Sequence, residues 1–169
     1  MMADLIESVA VSLLSQLIAI PVIRANQSGP RPKLPYATYQ ISARTTIGGD
    51  DYGLVDGSGM MPVKGVREGT ILVNFYGDEA RENADNLVNA IRKTTSRYLM
   101  RRLHLVINAT GSVTDLTALR DDANFEPMAN IDLNFRYTTN YTDDVGLIET
   151  VDVTGQVGGE GIHETITIE

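Results

Sequence analysis

From Ile131 to Tyr141 the chain alternates with a period of two: Ile131, Leu133, Phe135, Tyr137 and Tyr141 on one side, Asp132, Asn134, Arg136, Thr138 and Asn140 on the other. Successive side chains of a strand point to opposite faces, so this pattern predicts a strand with one buried face and one wet face. Its roughly eleven residues span about 35 Å, long for a globular strand. The strand reaches a compact acidic turn, Asp143-Asp144-Val145-Gly146, and a second extended stretch leads away. Nothing here is arranged like a catalytic set. The stretch reads as a sheet element with something held at its ends, which points to assembly rather than chemistry.

Composition narrows the rest. At 169 residues the chain is long enough to bury an ordinary core without staples. It has no cysteine, which removes disulfides, thiolate metal sites and cysteine nucleophiles together. A formal net charge of −8 argues against wrapping a phosphate backbone, which takes clustered cations. The nearest basic patch is Arg92, Lys93, Arg97, Arg101 and Arg102, read as complementing helix C-terminal dipoles. Val9 to Ile20 is apolar, but the residues before it carry Asp4 and Glu7 and no cation. That front does not suit a signal peptide, and the stretch is too short to span a membrane. It reads as a buried amphipathic helix of a cytoplasmic, non-membrane protein.

Along the chain, a first helix is expected from Ala3 to Ile20, closed by Pro21. Asn26 to Pro35 reads as an extended proline-containing loop, Tyr36 to Ile47 as a strand, and Gly48 to Gly69 as a long irregular loop. Thr70 to Tyr76 is a strand. A second helix follows, capped by Asp78, with Ala80, Ala84, Leu87, Val88, Ile91 and Tyr98 as its stripe. Leu103 to Ala109 is a strand ahead of the long one. Leu147 to Thr154, a glycine-rich joint at Gly155 to Gly161, and Ile162 to Ile168 finish the chain. Strands buried on both faces read as continuous apolar runs, and these alternate, so one face is covered. The expected fold is therefore an α+β two-layer sandwich, a mainly antiparallel mixed sheet with two helices on one face. Residues 1–157 form its domain, including the 48–69 loop, and residues 158–169 a C-terminal extended arm.

Candidate chemistry is sparse. His104 and His163 lack metal-site spacing and read as surface strand positions. No nucleophile elbow is present, and the Gly155 to Gly161 glycines have no following helix to offer a phosphate. Asp50, Asp51 and Asp56 lack the alternating carboxylates and terminal glutamate of a calcium loop. The expectation is no enzyme, no cofactor and no metal. Two features suit contact with other proteins. The 48–69 loop carries Leu54, Met60, Met61 and Val63 among glycines, and loops of this length without secondary structure are usually functional or disordered. Beyond the glycine joint, Ile162, Ile166 and Ile168 alternate as in a strand that could close its own sheet or extend a neighbour's edge.

The opening helix, Pro35-Tyr36-Ala37-Thr38-Tyr39, and Phe135-Arg136-Tyr137 followed by Asp143-Asp144-Val145-Gly146-Leu147-Ile148-Glu149 give a chain that resembles the phage neck or tail terminator proteins of contractile-tailed phages and prophages. The resemblance covers most of residues 3 to 155, and the 48–69 loop and last dozen residues lie outside it. It implies an α+β subunit of a homo-oligomeric, six-fold ring. Such a ring ends the tail tube, joins tail to head, and sits in the virion neck after assembly in the host cytoplasm. The implied partners are further copies of the chain, tail tube and sheath proteins, and head-neck connector proteins, with DNA passing through unbound. The alternatives are another neck or tail-completion protein, a tube subunit, or, in another class, a small ligand-binding or hydrolase α+β domain.

Overall fold

The computed structural model describes residues 2–121, 124–148, 150–157 and 160–167. The chain opens with α1 (Met2–Leu17), β1 (Val22–Arg24), β2 (Tyr36–Thr46), β3 (Asp51–Tyr52) and β4 (Met60–Tyr76). Two helices follow, α2 (Ala80–Arg92) and α3 (Thr94–Leu103), then β5 (Leu105–Thr110), β6 (Thr114–Asp115), β7 (Ala118–Asp121) and β8 (Asn124–Glu126). The long strand β9 (Met128–Asp144) leads to β10 (Thr150–Val157) and β11 (Glu160–Thr167). The main sheet has seven strands in the order β1-β2-β4-β9-β5, with β3 on β4 and β6 on β9. β1 runs parallel to β2, whereas β2–β4 and β5–β9 are antiparallel, so the sheet is mixed. β7–β8 and β10–β11 form separate two-stranded sheets. By internal packing the chain divides into two compact units, Met1–Gly49 with Gly65–Thr139, and Asp50–Lys64 with Asn140–Glu169.

The first unit is an α+β fold with its helices on one sheet face, as the alternation predicts. Ile131, Leu133 and Phe135 of β9 are buried beside Ile71, Val73 and Phe75 of β4. Leu13 and Leu14 of α1 and Ala84 and Leu87 of α2 belong to the same core cluster. Asp132, Asn134 and Arg136, one residue out of phase, are exposed. The Phe135 ring fits because β4 has a glycine beside it: a Cβ at Gly69 would stand 2.6 Å from Phe135 Cζ and 2.7 Å from the Ala43 carbonyl oxygen. Neither partner can withdraw far, since one is a core ring and the other strand backbone.

Several elements differ from their sequence expectations. The second helix is two helices, broken at Lys93, whose backbone is extended (φ −65°, ψ 144°). Ser96 Oγ donates to the Ala90 carbonyl at 2.6 Å, tying the start of α3 to the end of α2. The break turns Tyr98 outward and seats Met100 in the core instead. Asp78 is not the cap. Glu79 occupies that position without a side-chain hydrogen bond, and Asn83 Nδ2 donates back to the Glu79 carbonyl. Leu103 ends α3 rather than starting a strand, and α1 stops at Leu17. Gly48 to Gly69 is no irregular loop: β3 pairs with β4 in the register Asp51↔Lys64 and Tyr52↔Val63. Gly155 and Gly161 lie inside strands, opposite Ile162 and Gln156. Among the described residues no helix is long and apolar enough to cross a membrane.

Phe135→Ala is expected to lower the unfolding free energy by about 3–5 kcal/mol, and Asp132→Ala on the wet face by no more than about 0.5 kcal/mol. Urea denaturation checks both, and the reverse order would mean a register wrong by one residue. Gly69→Ala should cost about 1–3 kcal/mol by overpacking against the same ring, although alanine ordinarily suits a strand better than glycine. An alanine variant as stable as the parent would show that the ring yields.

Candidate functional site

The surfaces that could meet other proteins are distributed over both units. In the second unit, the β3–β4 turn is built around Asp56. Its Oδ1 accepts from the amides of Ser58 (2.8 Å) and Met60 (3.1 Å), and its carbonyl accepts from the Gly59 amide. Gly59 adopts φ 76°, and the Val145 amide donates to its carbonyl at 3.0 Å. The acidic turn after β9 is thereby bonded to the β3–β4 tip. Gly146 (φ 71°) donates its amide to Asp144 Oδ1, and Tyr141 Oη donates to Asp50 Oδ2 at 2.9 Å. Leu54 is 92% exposed on this tip, and Met60 and Met61 are half-buried at the start of β4. Val63, by contrast, is 2% exposed and already buried within its own subunit. Leu147 and Ile148 are exposed large apolar residues that the contact reading left out. They sit just past the acidic turn, where period-two patterning ends and gives no sign of which side is covered.

The C-terminal strand pairs with its own chain: β11 is antiparallel to β10, with Val151↔Ile166, Val153↔Glu164 and Gly155↔Ile162 directly opposed. Directly opposed residues share a face, so Val151, Val153, Glu164 and Ile166 lie on one side. Asp152, Thr154, His163 and Thr165 lie on the other, where Thr165 Oγ1 donates to Asp152 Oδ1 at 2.6 Å. Val151, Val153 and Ile166 are all exposed. Ile162 is placed here by its register alone, and Ile168 lies outside the described residues.

In the first unit, the face of β2 away from the helices holds a polar-aromatic cluster. The Tyr36 and Tyr76 rings stack with centroids 4.8 Å apart. The Arg31 guanidinium lies 5.6 Å and 5.3 Å from the two centroids, close enough for attraction to both ring faces. Arg31 Nε donates to Tyr36 Oη at 2.7 Å, and its terminal nitrogens grip both carboxylate oxygens of Glu126. The proline-rich segment before β2 is thus fastened to β8, a link between residues far apart in sequence that no local pattern announces.

Beside β5, at the end of the main sheet, an open groove of about 590 Å³ is lined by Ile91, Met100, Val106 and Ile107 and by Arg92, Arg97 and Arg101. The ladder to β9 is interrupted by a bulge between Ile107 and Ala109, and the Ile107 amide donates to Met100 Sδ at 3.4 Å. A thioether is a weak acceptor. None of the three arginines forms an ion pair with a described residue.

Reactive groups are scattered. His104 is a left-handed helix C-cap (φ 53°), not a strand residue, and His163 is exposed on β11. Burial, with Glu7 adding and Arg24 opposing, pushes the Tyr39 hydroxyl up and keeps it protonated. The Thr117 hydroxyl and amide hold the Asp115 carboxyl below its ordinary value. Neither group faces a nucleophile–base pair, and among the described residues no three His, Cys, Asp or Glu side chains cluster as a metal site.

Residues 4–161 match the sequence model of a family described as phage neck terminator protein. No curated protein matches the chain. The match takes in the Arg31–Tyr36–Tyr76–Glu126 cluster and ends within β11. Of these surfaces that cluster is the most densely bonded, and its expected role is to hold the subunit together. Arg31→Ala should lower the unfolding free energy by about 1–3 kcal/mol. Arg31→Lys should recover little of that, because lysine lacks the planar fork. Urea melts of the three proteins decide it, and a lysine variant equal to the parent would reduce the cluster to a point-charge contact.

Proposed function

The chain belongs to the phage neck terminator protein family, and from that premise we propose that it assembles into a closed ring, six copies around, that ends the tail tube and joins it to the head connector. Its role is structural, and its place is the virion's neck and tail region. The observation that carries the ring reading is the number of uncovered surfaces on one small subunit. The main sheet ends openly at β5, the β10–β11 hairpin carries exposed valines and isoleucine, and Leu54 and Ile148 stand 92% and 72% exposed. A two-stranded hairpin is marginal in water by itself. A heterologous interface repeated with closure covers such surfaces on every copy at once.

Leu54, Met60 and Met61 supply contacts to neighbouring tail proteins in this reading, with Val63 serving the subunit's own interior. The tail is of the contractile type, and tube and sheath proteins lie below the ring. Assembly takes place in the host cytoplasm. A net charge of −8 lets DNA pass through the ring without adhering, since like charges repel across a narrow channel.

Negative-stain images of the concentrated protein, with and without tail tubes, test the reading. Closed six-fold rings, free or seated at tube ends, are expected. Stacks growing into filaments would favour a tube subunit, and particles that stay monomeric on tubes would end the ring proposal. In gel-shift assays at ~150 mM salt, duplex DNA should not be retained at sub-micromolar protein.

A further inference from the structure

We propose that β11 of one copy adds to the free edge of β5 on the next copy, with its glutamates paired to Arg97 and Arg101 of that neighbour. The proposal rests on the ring reading and identifies the interface that builds it.

Both partners are incomplete alone. β5 ends the main sheet, and an open edge is a ready template for another strand. Next to it, the Ile107 amide donates to the Met100 thioether at 3.4 Å. The groove there combines apolar walls, Ile91 and Met100, with three arginines that lack an ion-pair partner among the described residues. Among the described residues β11 pairs on one side only, with β10. Strand periodicity places Glu160, Glu164 and Ile166 on one face of it.

Strand addition would extend the sheet past β5 and turn one face of β11 toward the helix layer. In the orientation proposed, that face is the one bearing Glu160 and Glu164, both exposed in the subunit. The glutamates then meet the arginines at the ends of α2 and α3, where charge-assisted hydrogen bonds form a directional fork. Ile166, on the same face, meets the apolar wall of the groove. Backbone ladder, apolar contact and charge thus point to the same occupant, a second copy of this chain. Such a contact uses different surfaces on the two copies, as a ring requires.

Charge exchange tests it. One variant carries Arg97→Glu and Arg101→Glu, the other Glu160→Arg and Glu164→Arg, all at exposed positions. Each alone should keep its melting temperature yet assemble at least about tenfold more weakly, since like charges now face each other at the contact. Mixed in equal amounts, the two should restore rings of parental size, because alternating copies again place acid against base at every interface. Mass photometry of the singles and the mixture gives the answer. Parental assembly by each variant alone would overturn the strand-addition proposal while leaving the ring intact. Loss in the singles with no recovery on mixing would overturn it as well, placing these charges in contacts within one copy. If the parental protein itself forms no ring, it is the ring reading that fails. The strand proposal then falls with it.

Discussion

The first unit depends on keeping one face of its sheet dry. β9 sits between β4 and β5, and its apolar residues recur every second position, so a single-residue slip would send Ile131, Leu133 and Phe135 into water together. That collective cost fixes the register of the central strand. Its neighbours inherit their alignment from it, and the helices inherit a surface to cover. Even the break at Lys93 serves this arrangement. By restarting the helix it allows Met100 to reach the core, where a straight continuation had pointed to Tyr98.

The period-two signal made the long strand, β2 and the α+β layering legible in the sequence, and helical spacing picked out Ala80, Ala84, Leu87 and Ile91 but misplaced Tyr98. It failed where local pattern says little about distant partners. β1 is three residues long, and its pairing with β2 depends on a parallel neighbour no local turn could announce. The segment around Asp56 has the glycines of a loose loop, yet its carboxylate gathers two backbone amides and closes a hairpin. Val63 looked like a free apolar side chain because its burial depends on tertiary packing. The Arg31 clasp was invisible because arginine, tyrosine and glutamate are each ordinary surface residues until a fold brings them together.

Chemistry and assembly leave different marks on a chain. A catalytic site concentrates titratable groups around one cavity, whereas here the histidines are far apart in sequence. The bonded carboxylates are spread over turns, at Asp56, Asp115 and Asp144, and ion pairs, at Glu7, Glu68 and Glu126. What the subunit does concentrate is unfinished secondary structure: a sheet edge, a hairpin with exposed Val151, Val153 and Ile166, and tips bearing Leu54 and Ile148. Those features are liabilities in a protein meant to remain single. In the ring proposed for this neck terminator family member they would become the means of joining.

The contact between Gly69 and the Phe135 ring ties together two positions on neighbouring strands. Neither can change freely while the other stays. A chain in which position 135 held a smaller aliphatic residue would remove the ring from the path of a Cβ at 69, yet the Ala43 carbonyl oxygen would still stand 2.7 Å from it. With an aromatic at 135, every substitution at 69 meets the ring before it meets solvent. Filling the gap at 69 therefore takes two adjustments at once, a smaller side chain at 135 and a shift of the Ala43 carbonyl.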